Sequence, residues 1–98
     1  MNKVFVYGIF VNKDTRIRAF KTDVKNYPAI LEGYELSTHS SGYFKSISED
    51  KNCNILSIVM EVSDEQLKYL DRIEHVKDGM YRRITVNTSI GEAFVYLE

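Results

Sequence analysis

Glu74 is the side chain best placed in this chain to move protons, because its surroundings set a carboxylate where an apolar residue is expected. The segment Ser63-Asp64-Glu65-Gln66 has the form of a capping box, with Val62 and Leu67 at the staple positions, so a helix starts at Asp64. At ~100° per residue, Glu74 falls about 20° from Leu67 and about 40° from Leu70, while Lys68 and Arg72 fall on the far side. A carboxylate on that apolar face has to be paired, hydrogen-bonded or neutralised, and burial raises its pKa toward the range of a general base or proton shuttle. The same spacing equally suits a carboxylate that ends the helix at the domain edge in an ion pair with Arg82 or Arg83.

The other reactive side chains offer less. His39, His75 and Cys53 have no zinc-ligand spacing, so no metal is expected, and both histidines read as surface residues. Cys53 lies between two asparagines at an expected loop tip, with no base to activate it. The basic run from Lys13 to Lys25 reads as the solvated face of an amphipathic helix. A net charge of −1, from 13 basic and 14 acidic residues, argues against nucleic acid or an anionic membrane as partner. Any partner therefore has to be chosen by a pocket.

The elements that must position Glu74 are legible as short apolar runs. The 98 residues, 44% apolar and 28% charged, suit one soluble domain spanning 1–98, with the cytosol as the default compartment since no signal-like or spanning apolar run is present. Val4-Phe5-Val6-Tyr7 reads as a central strand ending at a loop at Gly8. From Asp14 to Tyr27 one amphipathic helix or a partly helical excursion is expected, with Ile17, Phe20 and Val24 at helical spacing and Pro28 ending it. Ala29 to Thr38 reads as a strand with a bulge at Gly33, followed by a turn at Ser40-Ser41-Gly42 and a strand from Tyr43 to Ser48. A second turn at Asp50-Lys51-Asn52 precedes a buried strand from Ile55 to Met60, which runs into the capped helix. Tyr81 to Thr88 and Ala93 to Leu97 form a closing hairpin. The pattern predicts an α+β domain: a small curved mixed sheet or barrel of about six strands with one or two flanking helices.

Read together, the first strand and the Glu74 segment resemble the gamma-glutamylcyclotransferase-like family over nearly the whole chain. That family has a strand ending in Tyr-Gly-Thr/Ser-Leu, here Tyr7-Gly8-Ile9-Phe10. A Glu-Val-Ser junction, here Glu61-Val62-Ser63, leads to Leu-Asp-x-x-Glu, here Leu70 to Glu74. A Tyr-x-Arg strand (Tyr81-Arg82-Arg83) and a closing Val95-Tyr96 pair follow. The resemblance implies an enzyme that cyclises the gamma-glutamyl group of a small amine or peptide conjugate to 5-oxoproline and releases the amine. It implies Glu74 as the catalytic acid/base and backbone N–H groups of Tyr7, Gly8, Ile9 and Phe10 as the cradle for the gamma-glutamyl head; Tyr81 and Tyr96 lie in elements that the family places near the glutamate and suit either the pocket or ordinary sheet packing. No cofactor is implied, because the nucleophile lies within the substrate. Ile9 and Phe10 replace a small hydroxyl residue and a leucine, adding bulk at the expected pocket mouth. His75 stands where glycine often follows the glutamate, and Lys45 and Ser57 where many members carry proline and glycine. The other reading of these residues is a catalytically inactive module of the same fold that binds a small ligand or a protein partner.

Overall fold

Val4 and Val6 bury their side chains on one face of the first strand and Phe5 on the other, the arrangement that a continuous apolar run demands of a strand covered on both sides. In the computed structural model, which describes residues 1–98, this strand, β1 (Asn2–Val6), is the middle of a five-stranded sheet. A 3₁₀ turn (Ile9–Val11) and helix α1 (Lys13–Phe20) follow, then β2 (Asn26–Thr38), β3 (Lys45–Val62), helix α2 (Asp64–Ile73), β4 (Arg82–Thr88) and β5 (Gly91–Leu97). The sheet order is β2-β3-β1-β5-β4. β1 lies parallel to β5 and antiparallel to β3, and the two outer pairs are antiparallel.

The expected count of about six strands becomes five because β3 runs without interruption through Asp50-Lys51-Asn52. The expected turn there is a bulge instead: Glu32 pairs with Asn54 and Tyr34 with Glu49, so Gly33 on β2, with φ of 85°, faces four β3 residues. β2 continues to pair with β3 on either side of the irregularity, and this long partner keeps the polar stretch in the strand.

Of the two readings of Asp14 to Tyr27, the partly helical one holds: α1 covers only the first part of that segment. It stops at Phe20, where Lys21 takes a left-handed conformation and its N–H bonds the Ile17 carbonyl. Pro28 therefore sits inside β2, an edge strand, where its missing donor is tolerated.

The sheet curls but does not close into a barrel. The chain after β4 touches β2 through two bonds, from the Ser89 N–H to the Ile30 carbonyl and from the Ile30 N–H to the Ser89 hydroxyl, with no β2–β4 ladder. One core fills the inside of this curl around Phe5, Leu31, Val59 and Val95. A second packs α2, through Leu67 and Leu70, against Val4, Val6, Met60 and Val62. α2 begins as its sequence requires: the Gln66 N–H donates to the Ser63 hydroxyl and the Ser63 N–H to the Gln66 side chain. No helix is long and apolar enough to cross a membrane.

Candidate active site

Gly8 lies just beyond the end of β1 and caps the Ile9–Val11 turn. A Cβ built at Gly8 meets no protein atom within 4 Å, so glycine here keeps open a space that lies against the backbone. The Gly8 and Ile9 carbonyls accept the turn's own bonds from Val11 and Asn12, whereas none of these turn bonds uses the N–H of Gly8, Ile9 or Phe10. Those N–H groups are the orphan donors at the start of a helical turn.

Arg16 holds this turn from outside. It was expected on the solvated face of α1, yet it is buried while Ile17 is exposed. Its Nη1 donates to the Phe10 and Val11 carbonyls at 3.0 and 2.9 Å, and its Nε to Asp23 at 2.8 Å. A guanidinium with all these acceptors can be buried, and periodicity alone carries no sign of them. Phe10 stacks on Phe20, ring centroids 5.6 Å apart, in the helix-side core. The expected bulk at the pocket mouth therefore comes from Ile9, which is exposed.

Glu74 is the residue at which α2 ends, its N–H bonded to the Leu70 carbonyl at 2.9 Å. Neither arginine offered as its ion-pair partner reaches it. Arg83 binds Asp71, Nη1 to Oδ2 at 3.2 Å, and Arg82 Nε lies 3.4 Å from the Glu98 carbonyl. Burial pushes the Glu74 carboxyl above its usual range, offset in part by the charge of neighbouring His75. His75 is exposed, as expected, in a left-handed conformation (φ 51°), and pairs with Asp78 at 3.3 Å. His39 is not the surface residue expected: it is buried, its Nε2 bonded to the Met80 carbonyl at 3.0 Å, and the Ser41 N–H donates to its Nδ1 at 3.0 Å.

The three tyrosine hydroxyls nearby are committed to protein acceptors. Tyr7 donates to the Tyr96 carbonyl, Tyr96 to Asp71 at 2.5 Å and Tyr81 to the Lys45 carbonyl at 2.6 Å. Burial is the main cause that raises all three phenols, and the Asp71 carboxylate adds to it at Tyr96 and Glu74 at Tyr81. They remain neutral and shape the walls with their rings.

All seven residues singled out from sequence, Tyr7, Gly8, Ile9, Phe10, Glu74, Tyr81 and Tyr96, line a single cavity of about 780 Å³. Tyr43 and Phe44 also line it and escaped the sequence reading. Their one signal was an aromatic pair directly after the Gly42 turn, which looked like the start of a strand.

Glu74, His75 and Lys45 are the charged residues of the lining. The grouping of three metal-capable side chains, Glu35, Asp50 and Cys53, lies at the β2–β3 bulge, outside this lining. Cys53 is thus in a strand and not at a loop tip; burial, reinforced by Asp50, pushes its thiol up, away from nucleophilic character.

Comparison with solved structures finds the same fold in several proteins of low sequence identity. A human protein described as uncharacterized superposes with a TM-score of 0.85 at 22% identity, with 98% of this chain covering 65% of that one. A protein from Arabidopsis thaliana gives 0.82 at 23%, covering 98% of this chain and 61% of its own. A structure described as gamma-glutamyl cyclotransferase gives 0.78 at 20%, covering 98% and 65%. This chain thus spans about two thirds or less of their lengths. No curated protein matches it. The family profile described as "Gamma-glutamyl cyclotransferase, AIG2-like" matches residues 4–98, and the chain belongs to that family.

Proposed function

We propose that this protein cyclises the gamma-glutamyl group of a small conjugate to 5-oxoproline and releases the amine, with Glu74 as the proton shuttle. The observation that carries this reading is the Glu74 carboxyl, raised by burial, outside every ion pair of the chain, and on the wall of the cavity that the Gly8 turn also lines.

The chemistry follows from that placement. The substrate's α-amine attacks its own γ-carbonyl, forming the ring C–N bond while Glu74 takes the amine proton. The γ-oxygen gains negative charge beside the Gly8, Ile9 and Phe10 N–H groups, which are suited to an oxyanion or to the substrate carboxylate. Collapse breaks the amide C–N bond, and the proton held on Glu74 passes to the leaving nitrogen. One carboxyl of raised pKa serves as base and then acid, and intramolecular attack removes the need for a second bound reactant.

The deciding experiment incubates the protein with a panel of gamma-glutamyl amides and dipeptides and assays 5-oxoproline. Release that disappears in a folded Glu74→Gln variant supports the proposal. Undiminished release in that variant overturns it.

A further inference from the structure

The cavity is larger than a gamma-glutamyl group requires. At about 780 Å³ it falls within the range of about 300–1,000 Å³ that takes drug-sized ligands. The Gly8 turn and Glu74 account for the reacting end. Around the remainder stand Ile9, Tyr43 and Phe44, large apolar side chains that are 66%, 86% and 53% exposed. They come from two separate segments, the turn after β1 and the β2–β3 connection, and meet at one cavity. Apart from Tyr27 on β2, 42% exposed, the chain's other aromatic rings pack in the two cores or against neighbouring rings. An apolar rim left in water beside a pocket is a binding surface for apolar ligand atoms.

Charge narrows the ligand further. Glu74 is the one carboxylate of the lining, and the other residues there that carry charge are Lys45 and His75. With Glu74 engaged in proton transfer, a cationic leaving group finds no acidic side chain and meets a lysine instead. Discrimination of this kind rests on the repulsive element as much as on the attractive one.

We infer that the substrate is a gamma-glutamyl conjugate whose leaving amine has an aromatic or branched aliphatic body and carries no positive charge, that body resting on Ile9, Tyr43 and Phe44. This rests on the cyclotransferase reading for the reacting end, while the apolar rim makes its own claim about binding. Two sources share the chemistry, a simple apolar amine and an amino acid with an apolar side chain. They differ in the carboxylate of the second.

The test compares gamma-glutamyl phenethylamide, gamma-glutamyl-phenylalanine, gamma-glutamyl methylamide and gamma-glutamyl-putrescine in two assays: 5-oxoproline release by the wild type, and binding to Glu74→Gln by calorimetry. The expected result is that both aromatic conjugates exceed the putrescine conjugate by at least about tenfold in kcat/KM and in affinity, the scale on which apolar pockets discriminate. A Tyr43→Ser/Phe44→Ser double variant, altered at exposed positions, is expected to lower the phenethyl-to-methyl ratio by about tenfold. A preference for phenylalanine over phenethylamine identifies the amino-acid source, and the reverse identifies the simple amine. Equal or better use of the putrescine conjugate, or a ratio unmoved in the double variant, overturns the inference and leaves the cyclotransferase reading standing. Selective binding without 5-oxoproline release overturns the enzyme reading and keeps the apolar subsite. Absence of both binding and release removes both.

Discussion

Arg83 binds Asp71, with Nη1 3.2 Å from Oδ2, and so leaves Glu74, three residues further along the chain, without an arginine partner. The other Asp71 oxygen accepts the Tyr96 hydroxyl at 2.5 Å, and the Arg83 guanidinium also lies over the Phe94 ring, 4.6 Å from its centroid. Arg83 is held on both sides. That competition turns Glu74 from a structural ion-pair member into a carboxyl whose protonation is governed by burial.

Glu74→Gln should abolish turnover by a factor of about 10² to 10⁴, the usual contribution of a positioned acid/base. Its effect on stability has the opposite sign. A carboxyl whose folded pKa lies above its unfolded value binds a proton more tightly in the folded state, so ionised Glu74 opposes folding at neutral pH, and the opposition fades as pH falls through the folded pKa. The variant should therefore melt at or above the wild-type temperature at pH 7 and lose that advantage in acid, as calorimetry across pH can determine.

The basic charge of His75 pulls the Glu74 pKa down against the rise caused by burial. His75→Asn keeps a residue that tolerates the left-handed conformation at φ 51° and removes the charge. The limb of the pH–rate profile set by Glu74 should move to higher pH. A limb that stays in place means that the profile reports some other group.

Arg16→Ala removes the donor to the Phe10 and Val11 carbonyls and the partner of Asp23. Breaking a buried charged network of this kind costs about 3–5 kcal/mol, which urea denaturation would register. Because the Ile9–Val11 turn loses its outer support, KM should rise in any variant that still folds, such as Arg16→Lys. At Asp23, the Arg16 guanidinium holds the carboxyl below its usual range. The stability it supplies is present above the unfolded pKa and is lost as pH drops through the lowered folded value.

Tyr96→Phe deletes the hydrogen bond to Asp71 while keeping the ring. A bond to a charged acceptor contributes about 1.5–3 kcal/mol, and chemical denaturation should show a loss of that size. Arg83 remains on Asp71, so Glu74 should stay unpaired and kcat should change less than in Glu74→Gln. A loss of kcat as large as that of Glu74→Gln assigns the phenol a direct part in the reaction.

Gly8→Ala places a methyl group where no protein atom lies within 4 Å, so the added carbon meets the cavity and not the core. Binding should suffer more than folding: KM should rise by about tenfold, the scale of one misplaced methyl in a pocket, with the melting temperature little changed.

Local signals decided much of this protein in advance. The Ser63–Gln66 capping box set the start of α2, the apolar run at Val4–Val6 announced a central strand, and Gly33 marked the irregularity in β2. Each depends on residues within a few positions of one another, so their physics is complete in the sequence. The seven residues that the family resemblance singled out line one cavity.

What the tertiary structure decided are choices among distant partners. Asp50-Lys51-Asn52 could turn the chain, yet β2 pairs with β3 before and after it, and the stretch became a bulge. Arg16 looked solvated until the Phe10 and Val11 carbonyls and Asp23 supplied acceptors that permit its burial. Glu74 had two arginines within reach in sequence, and neither pairs with it: Asp71 and Phe94 hold Arg83, and Arg82 lies against the Glu98 carbonyl. A charge takes the partner that the fold brings nearest, and sequence spacing does not contain that distance.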